Sequence, residues 1–223
     1  MQKFDTPAAI SAVLDIPAGR IQFIAADRAD TVVEVRPADA AKSRDVKAVE
    51  EIEVAYADGV LRIEAAPAKN RVLGNSGSVE VTVQLPAGSR VEGKSGAAEL
   101  RGVGRLGDVA FEGGYRQVKL DEAASVRLTV HDGDIAVGRL GGPADIRTQR
   151  GDIQIAEAAG GALTLHTQKG DISVSAAPGV SAALDAGTSY GRISNSLNNS
   201  EGSDAGLTIH ATTSYGDITA RSL

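Results

Sequence analysis

The stretch Ala144-Asp-Ile-Arg-Thr-Gln-Arg-Gly-Asp-Ile-Gln-Ile-Ala-Glu-Ala158 decides how this chain is read. Ile146 and Thr148 alternate with polar neighbours up to Gly151, and Ile153 and Ile155 alternate after it. A period of two marks a strand with one buried face, and a glycine inside the alternation marks a corner where the chain turns and continues. The pattern recurs in both directions along the chain. Aligned on the glycine, the segments read VEGKSGAAEL, VAFEGGYRQV, LTVHDGDIAV, IRTQRGDIQI, LHTQKGDISV, AGTSYGRISN and ATTSYGDITA. Their glycines are Gly96, Gly114, Gly133, Gly151, Gly170, Gly191 and Gly216, spaced 18, 19, 18, 19, 21 and 25 residues apart.

A stride near 19 residues is too short for a strand and a crossover helix, but it suits one coil of a parallel β-helix or β-roll. A single coil cannot bury its own apolar face, so coils must stack and donate like residues to shared columns. Ile135, Ile153, Ile172, Ile193 and Ile218 are the expected main column. The fold class read from this pattern is all-β: a solenoid of about seven coils, right-handed because hexapeptide periodicity is absent, over residues 91–223.

Residues 1–90 have a different rhythm. AVLDI, RIQFIA, TVVEVR, EIEVAY, VLRIEA and SVEVTVQL alternate as half-buried strands, and Ala57-Asp58-Gly59 before VLRIEA is a hairpin signal. This region is expected to form an antiparallel sheet capping the first coil and covering its edge. Residues 38–51, ADAAKSRDVKAVEE, suit a short helix or a mobile loop, and Asn198 to Gly206 suit a protruding loop that lengthens one coil.

Composition agrees with many short strands: 223 residues contain 26 glycines, three phenylalanines, four tyrosines and no tryptophan. Acids outnumber bases 29 to 23, and neither side of residue 90 is basic, with 13 acids against 11 bases before it and 16 against 12 after it. A nucleic-acid footprint is therefore not expected. The absence of cysteine excludes disulfides, thiolate metal sites and a cysteine nucleophile. No window approaches a transmembrane span, and the N-terminus lacks a secretory pattern, so the sequence as it stands reads as cytoplasmic. Removal of a signal or anchor would make it envelope-associated or extracellular.

The repeated turns Gly133-Asp134-Ile135, Gly151-Asp152-Ile153, Gly170-Asp171-Ile172 and Gly216-Asp217-Ile218, preceded by Val79-Glu-Val-Thr-Val-Gln-Leu-Pro-Ala-Gly-Ser89, carry a family likeness. The chain resembles the bacterial β-strand-repeat domain of unknown function of the putative-adhesin type, over nearly its whole length. The resemblance implies a link to the cell envelope or to envelope stress, and it implies no catalytic residues. Gly96-Ala97-Ala98, Gly114-Tyr115-Arg116 and Gly191-Arg192-Ile193 depart from the Gly-Asp-Ile pattern.

Two patterns mimic enzyme motifs. Gly102 to Gly107, GVGRLG, matches G-x-G-x-x-G, but no helix N-terminus comes after it to face a pyrophosphate. Gly187 to Gly191, GTSYG, matches the elbow around a nucleophilic serine at Ser189, yet Arg192 to Asn195 read as strand and the motif is repeated around Ser214. His131, His166 and His210 each follow Leu-Thr-x and are expected to point outward on every second coil, about 10 Å apart, too far to share a metal. Asp134, Asp152 and Asp171 should stack at about 5 Å. They are the only metal candidates, for a weak calcium site, but corner capping by carboxylate-to-backbone bonds is the favoured reading. Tyr190 and Tyr215 occupy matching corners and form the candidate partner surface.

No acid, base and nucleophile converge and no cofactor is called for, so the expected function is a non-catalytic scaffold or binding module facing another protein or an envelope component. Bactofilin-like self-assembly is the alternative, since GDITARSL has no evident cap after it. A polysaccharide-active β-helix enzyme using the Asp row is the third.

Overall fold

The computed structural model describes residues 1–65 and 77–223. Its repeating unit is the one decided by Ala144–Ala158: β10 (Ala144–Arg150), a corner at Gly151-Asp152, and β11 (Ile153–Ala158). Every strand from β7 onward pairs only in parallel. These are β7 (Arg90–Gly113), β8 (Val118–Asp132), β9 (Ile135–Leu140), β10, β11, β12 (Gly161–Lys169), β13 (Ile172–Ala176), β14 (Ala182–Tyr190), β15 (Ile193–Ser196), β16 (Leu207–Tyr215) and β17 (Ile218–Ser222). Each later coil contributes one strand before its corner and one after it, which gives a solenoid-like stack.

The register builds the columns expected from the repeat. Ile153 lies opposite Ile135 on one side and Ile172 on the other, and Ile146 lies between Leu128 and Leu165. Ile135, Ile153, Ile172 and Ile218 are at most 1 % exposed, so each gains about the full 1.5–3 kcal/mol of a buried aliphatic side chain. One core cluster runs from Ile10 to Ile218.

The last two coils do not stack in chain order. β16 lies between β12 and β14, and β17 lies between β13 and β15, so the C-terminal coil is inserted beneath its predecessor. The column therefore runs Ile172, Ile218, Ile193, and Ile193 at the end is 47 % exposed. The expectation that GDITARSL forms the uncovered end is corrected: β17 is paired on both sides, and among the described residues the coil with a strand on one side only is β14–β15. The Asn198–Gly206 loop carries the return. It contains a 3-10 turn at Gly202–Asp204 and is held at its base by Asn198 N–H on Ser222 Oγ at 2.9 Å and Glu201 N–H on Ser181 Oγ at 3.1 Å.

The N-terminal region comprises β1 (Gln2–Asp5), β2 (Ser11–Ala26), β3 (Asp30–Pro37), α1 (Ser43–Glu50), β4 (Ile52–Ala57), β5 (Val60–Ala65) and β6 (Val79–Pro86). It is mixed, where a purely antiparallel sheet was expected. β2 runs parallel to β7 from Ser11 opposite Arg90 to Ile24 opposite Val103, and parallel to β5 and β6 on its other side. The reason lies in AVLDIPAGRIQFIA, which is itself a two-legged coil: Leu14 and Ile16 face inward before Gly19, and Ile21 and Phe23 after it. The antiparallel pairs are β1–β3, β3–β6 and the β4–β5 hairpin. In that hairpin Asp58 and Gly59 take φ of 50° and 77°, the two left-handed positions of a type I′ turn.

Candidate functional site

The corner is where side chains from successive coils meet, and its local chemistry is set by Thr-x-x-Gly-Asp-Ile. At Gly170, φ is 153° and a Cβ would lie 2.1 Å from the Gly151 carbonyl oxygen, so only glycine lets adjacent corners approach. The threonine three residues earlier uses its hydroxyl on the neighbouring coil's glycine carbonyl: Thr167 donates to Gly151 O at 3.1 Å, Thr213 to Gly170 O at 3.0 Å and Thr188 to Gly216 O at 3.0 Å. The aspartate after the glycine satisfies the opposite polarity. Asp134 Oδ1 accepts Asp152 N–H at 2.9 Å, Asp152 Oδ1 accepts Asp171 N–H at 2.8 Å, and Asp171 Oδ1 accepts Asp217 N–H at 2.7 Å.

Asp134, Asp152 and Asp171 thus cap backbone, as the corner reading expects, but each caps the next coil and not its own turn. Asp217 ends the carboxylate row against Arg192, whose N–H reaches Asp217 Oδ1 at 2.8 Å and whose guanidinium reaches Oδ2 at 3.0 Å. That backbone bond, together with the weaker effect of the guanidinium bond, holds the Asp217 carboxyl below the ordinary aspartate range. Among the described residues, no group of three or more His, Asp or Glu is arranged to hold a metal ion.

Tyr190 and Tyr215 stand one residue before their corner glycines on neighbouring strands, in register. Their rings stack with centroids 5.0 Å apart and planes within 5°. They remain 68 % and 57 % exposed, so the pair packs on itself without being covered. Lys169 is the residue of β12 opposite Tyr215.

The histidines do not form one row. His166 lies opposite Arg147 and Thr212, whereas His210 lies opposite Thr164 and Asp185, and His131 packs on Tyr115 with centroids 6.0 Å apart. The shared Leu-Thr-x-His motif misleads because its distance to the corner glycine grows by two residues at each occurrence. His166 Nδ1 is 2.8 Å from Thr212 Oγ1 and His210 Nδ1 is 3.0 Å from Asp185 Oδ2.

The enzyme-like patterns lie in strand. Gly102–Gly107 is inside β7, where Gly104 at φ 77° marks a shift in register, and Ser189 leads from β14 through a corner into β15. A shallow groove of about 450 Å³ lies elsewhere, lined by Arg90, Asp108, Ser125, Arg127 and Asp145. Ser125 donates to Asp108 at 2.6 Å, and Arg147 holds Asp145 at 3.0 and 3.2 Å. No histidine lines the groove.

Sequence reasoning passed over the threonine row, although its fixed place three residues before Gly151, Gly170, Gly191 and Gly216 was a usable signal. It also left Ser89 unexplained. That hydroxyl donates to Pro86 O at 2.6 Å and accepts Ile10 N–H at 3.0 Å, which ties the Leu-Pro-Ala-Gly-Ser turn to the start of β2.

A stack of parallel corners on shared aliphatic columns defines an all-β, repeat-built domain. The chain belongs to the Toastrack DUF4097 family, whose model matches residues 11–221. No curated protein matches. Among solved structures, a putative adhesin from Bacteroides fragilis is similar at 15 % identity and a TM-score of 0.56, covering 100 % of this chain and 95 % of that one. A putative adhesin from Parabacteroides distasonis is similar at 15 % identity and 0.49, over 98 % and 95 %. A putative cell adhesion protein from Clostridium sporogenes is similar at 13 % and 0.36, over 100 % and 98 %. The first of these supports the fold. The family is one of unknown function, and no catalytic family is indicated.

Proposed function

We propose that this chain is a non-catalytic binding module: a rigid, right-handed stack of coils over residues 91–223, begun by residues 1–90, that presents its corner ridge to another protein or an envelope component. The observation that carries the reading is the Tyr190–Tyr215 pair, which is stacked and exposed on a ridge whose carboxylates already accept backbone N–H groups and whose threonines already donate to glycine carbonyls. Rigid aromatic rings supply contact area at little entropic cost, and a pre-ordered pair has less to lose on binding. The Bacteroides fragilis neighbour is named a putative adhesin, which is the same class of role. No described helix is long and apolar enough to cross a membrane.

The test is retention of a component of the source cell's envelope fraction on the immobilised chain, compared with the Tyr190→Ala/Tyr215→Ala double variant. The native chain is expected to retain a component that the variant loses while its far-UV circular dichroism is unchanged. Equal retention by both would remove the tyrosine pair from the function.

A further inference from the structure

We infer that the layer on β12–β13 is a slot for which two coils of this chain compete: β14–β15 docks there first, and β16–β17 then displaces it by inserting beneath it. The structure is thus the product of an exchange of coils. In it the slot is filled by β16 on β12 and β17 on β13, with β14 and β15 one layer further out. Row by row the two coils offer the slot the same kinds of residue. Above Leu163 stand Ile209 and then Leu184, and above Leu165 stand Ala211 and then Ala186. Above Thr167 stand Thr213 and then Thr188, and above Ile172 stand Ile218 and then Ile193.

The corners are equally matched. A Cβ at Gly216 would lie 2.0 Å from the Gly170 carbonyl oxygen and one at Gly191 1.9 Å from that of Gly216, so each glycine lets its corner settle on the one below. Thr213 and Thr188 each donate to the underlying glycine carbonyl at 3.0 Å. Asp217 N–H and Arg192 N–H each reach Oδ1 of the underlying aspartate, at 2.7 and 2.8 Å. None of these bonds tells one coil from the other. Set directly on β12–β13, the β14–β15 coil makes the same bonds to Gly170 and Asp171.

Connection length decides which coil arrives first. β14 follows β13 across residues 177–181, whereas β16 reaches the slot only across residues 177–206. Loop entropy alone favours the shorter closure by about tenfold. Polarity then reverses the choice. In the slot Asn195 takes the place of Ala220, a buried residue beside Val174, where an amide meets no partner. One layer out, the same amide oxygen accepts Leu197 N–H at 3.0 Å. The exchange also sets the fully buried Leu207 above Gly161, where β14 offers the smaller Ala182. Coil identity in this layer is therefore a two-state element, decided by kinetics in one direction and by burial in the other.

The chain has no cysteine, so engineered pairs report neighbours directly. Ser173 lies opposite Thr219, and Thr219 opposite Ser194. Ser173 and Ser194 are thus two strands apart, about 10 Å, beyond the reach of a disulfide. The full chain is refolded from urea with brief pulses of oxidant. Ser173→Cys/Ser194→Cys is expected to crosslink at early times and to lose that ability as refolding completes, while Ser173→Cys/Thr219→Cys gains it over the same interval. Adding Asn195→Ala to the first pair removes a cause of displacement and should lengthen the early crosslinking phase about tenfold. Pulsed hydrogen exchange of the unmodified chain reads the order without any variant: β14 and β15 amides should be protected before those of β16 and β17. Four results would each overturn the exchange: Ser173–Ser194 crosslinking no faster than in urea, protection of β16 and β17 first or simultaneously, an early phase unchanged by Asn195→Ala, or a Ser173–Thr219 link that joins two chains. Neither pair touches Tyr190 or Tyr215, so the exchange and the ligand role proposed for the ridge can fail independently.

Discussion

Two coils of this molecule carry nearly the same words in different places. Thr188-Ser-Tyr-Gly-Arg-Ile193 closes the stack, while Thr213-Ser-Tyr-Gly-Asp-Ile218, later in the chain, lies one layer deeper. Around the shared motif the inner coil supplies Leu207, Ile209, Ala211 and Ala220, all at most 1 % exposed. The outer coil supplies Ala182, Leu184 and Ala186, and at the row position of Ala220 it has Asn195. In chain order, Asn195 would be enclosed between apolar neighbours such as Val174, whereas at the end its amide oxygen accepts Leu197 N–H at 3.0 Å. The acidic row adds a second reason. Asp217 can donate to Asp171 and still accept from Arg192, but Arg192 placed between the two aspartates would leave Asp217 N–H with no carboxylate to meet. Spatial order is therefore set by which coil tolerates burial on both sides, and the loop at Asn198–Gly206 is long enough to obey it.

The comparison breaks most sharply at the isoleucines. Ile218→Ala is expected to cost about 2–5 kcal/mol in urea unfolding, as for a fully enclosed aliphatic side chain, and Ile193→Ala less than half of that; equal costs would mean that the end coil is covered in solution. The next largest effect is a reciprocal exchange. Ala220→Asn should cost about 1–3 kcal/mol, because an amide would be enclosed without partners. Asn195→Ala should stay within about 0.5 kcal/mol, as exposed substitutions do. If Asn195→Ala were the more damaging, polarity would not be what assigns the outer place. A smaller contrast lies in the threonines: Thr213→Val should cost about 1 kcal/mol through loss of its bond to Gly170, and Thr188→Val less, since its site is partly hydrated.

The corner was legible because glycine and period-two alternation act within about ten residues, and the column Ile135, Ile153, Ile172 emerged from alignment alone. The hairpin at Asp58-Gly59 was legible for the same local reason. The inverted order was not, because the two coils share their periodicity and differ in the few polar residues whose meaning depends on what lies above them. Reading AVLDI and RIQFIA as separate strands missed that Gly19, at φ 140°, is a corner like Gly151, so a coil was mistaken for part of an antiparallel sheet. Among the site residues, the aspartates' capping role was anticipated but its direction was not. A carboxylate one residue past a turn can serve its own corner or the next, and only the parallel register decides between them. The tyrosine pairing was implied by matching corners, and the parallel register of β14 on β16 puts the two rings face to face.

The smallest expected effect concerns acid, and it separates the two causes acting on Asp217. Its carboxyl is held below the ordinary value of about 4, first by the Arg192 backbone N–H and then by the Arg192 guanidinium. With the folded value depressed, the carboxylate contributes its full stability above the unfolded value, and that contribution disappears as pH falls through the folded one. Arg192→Ala removes the guanidinium and keeps the N–H. In a carboxyl-carbon NMR titration, Asp217 should therefore rise only part of the way toward the ordinary range, and acid unfolding should begin at slightly higher pH. A complete return to the ordinary value would assign the depression to the side chain. The backbone rung from Asp217 to the last coil would then not be what closes the row.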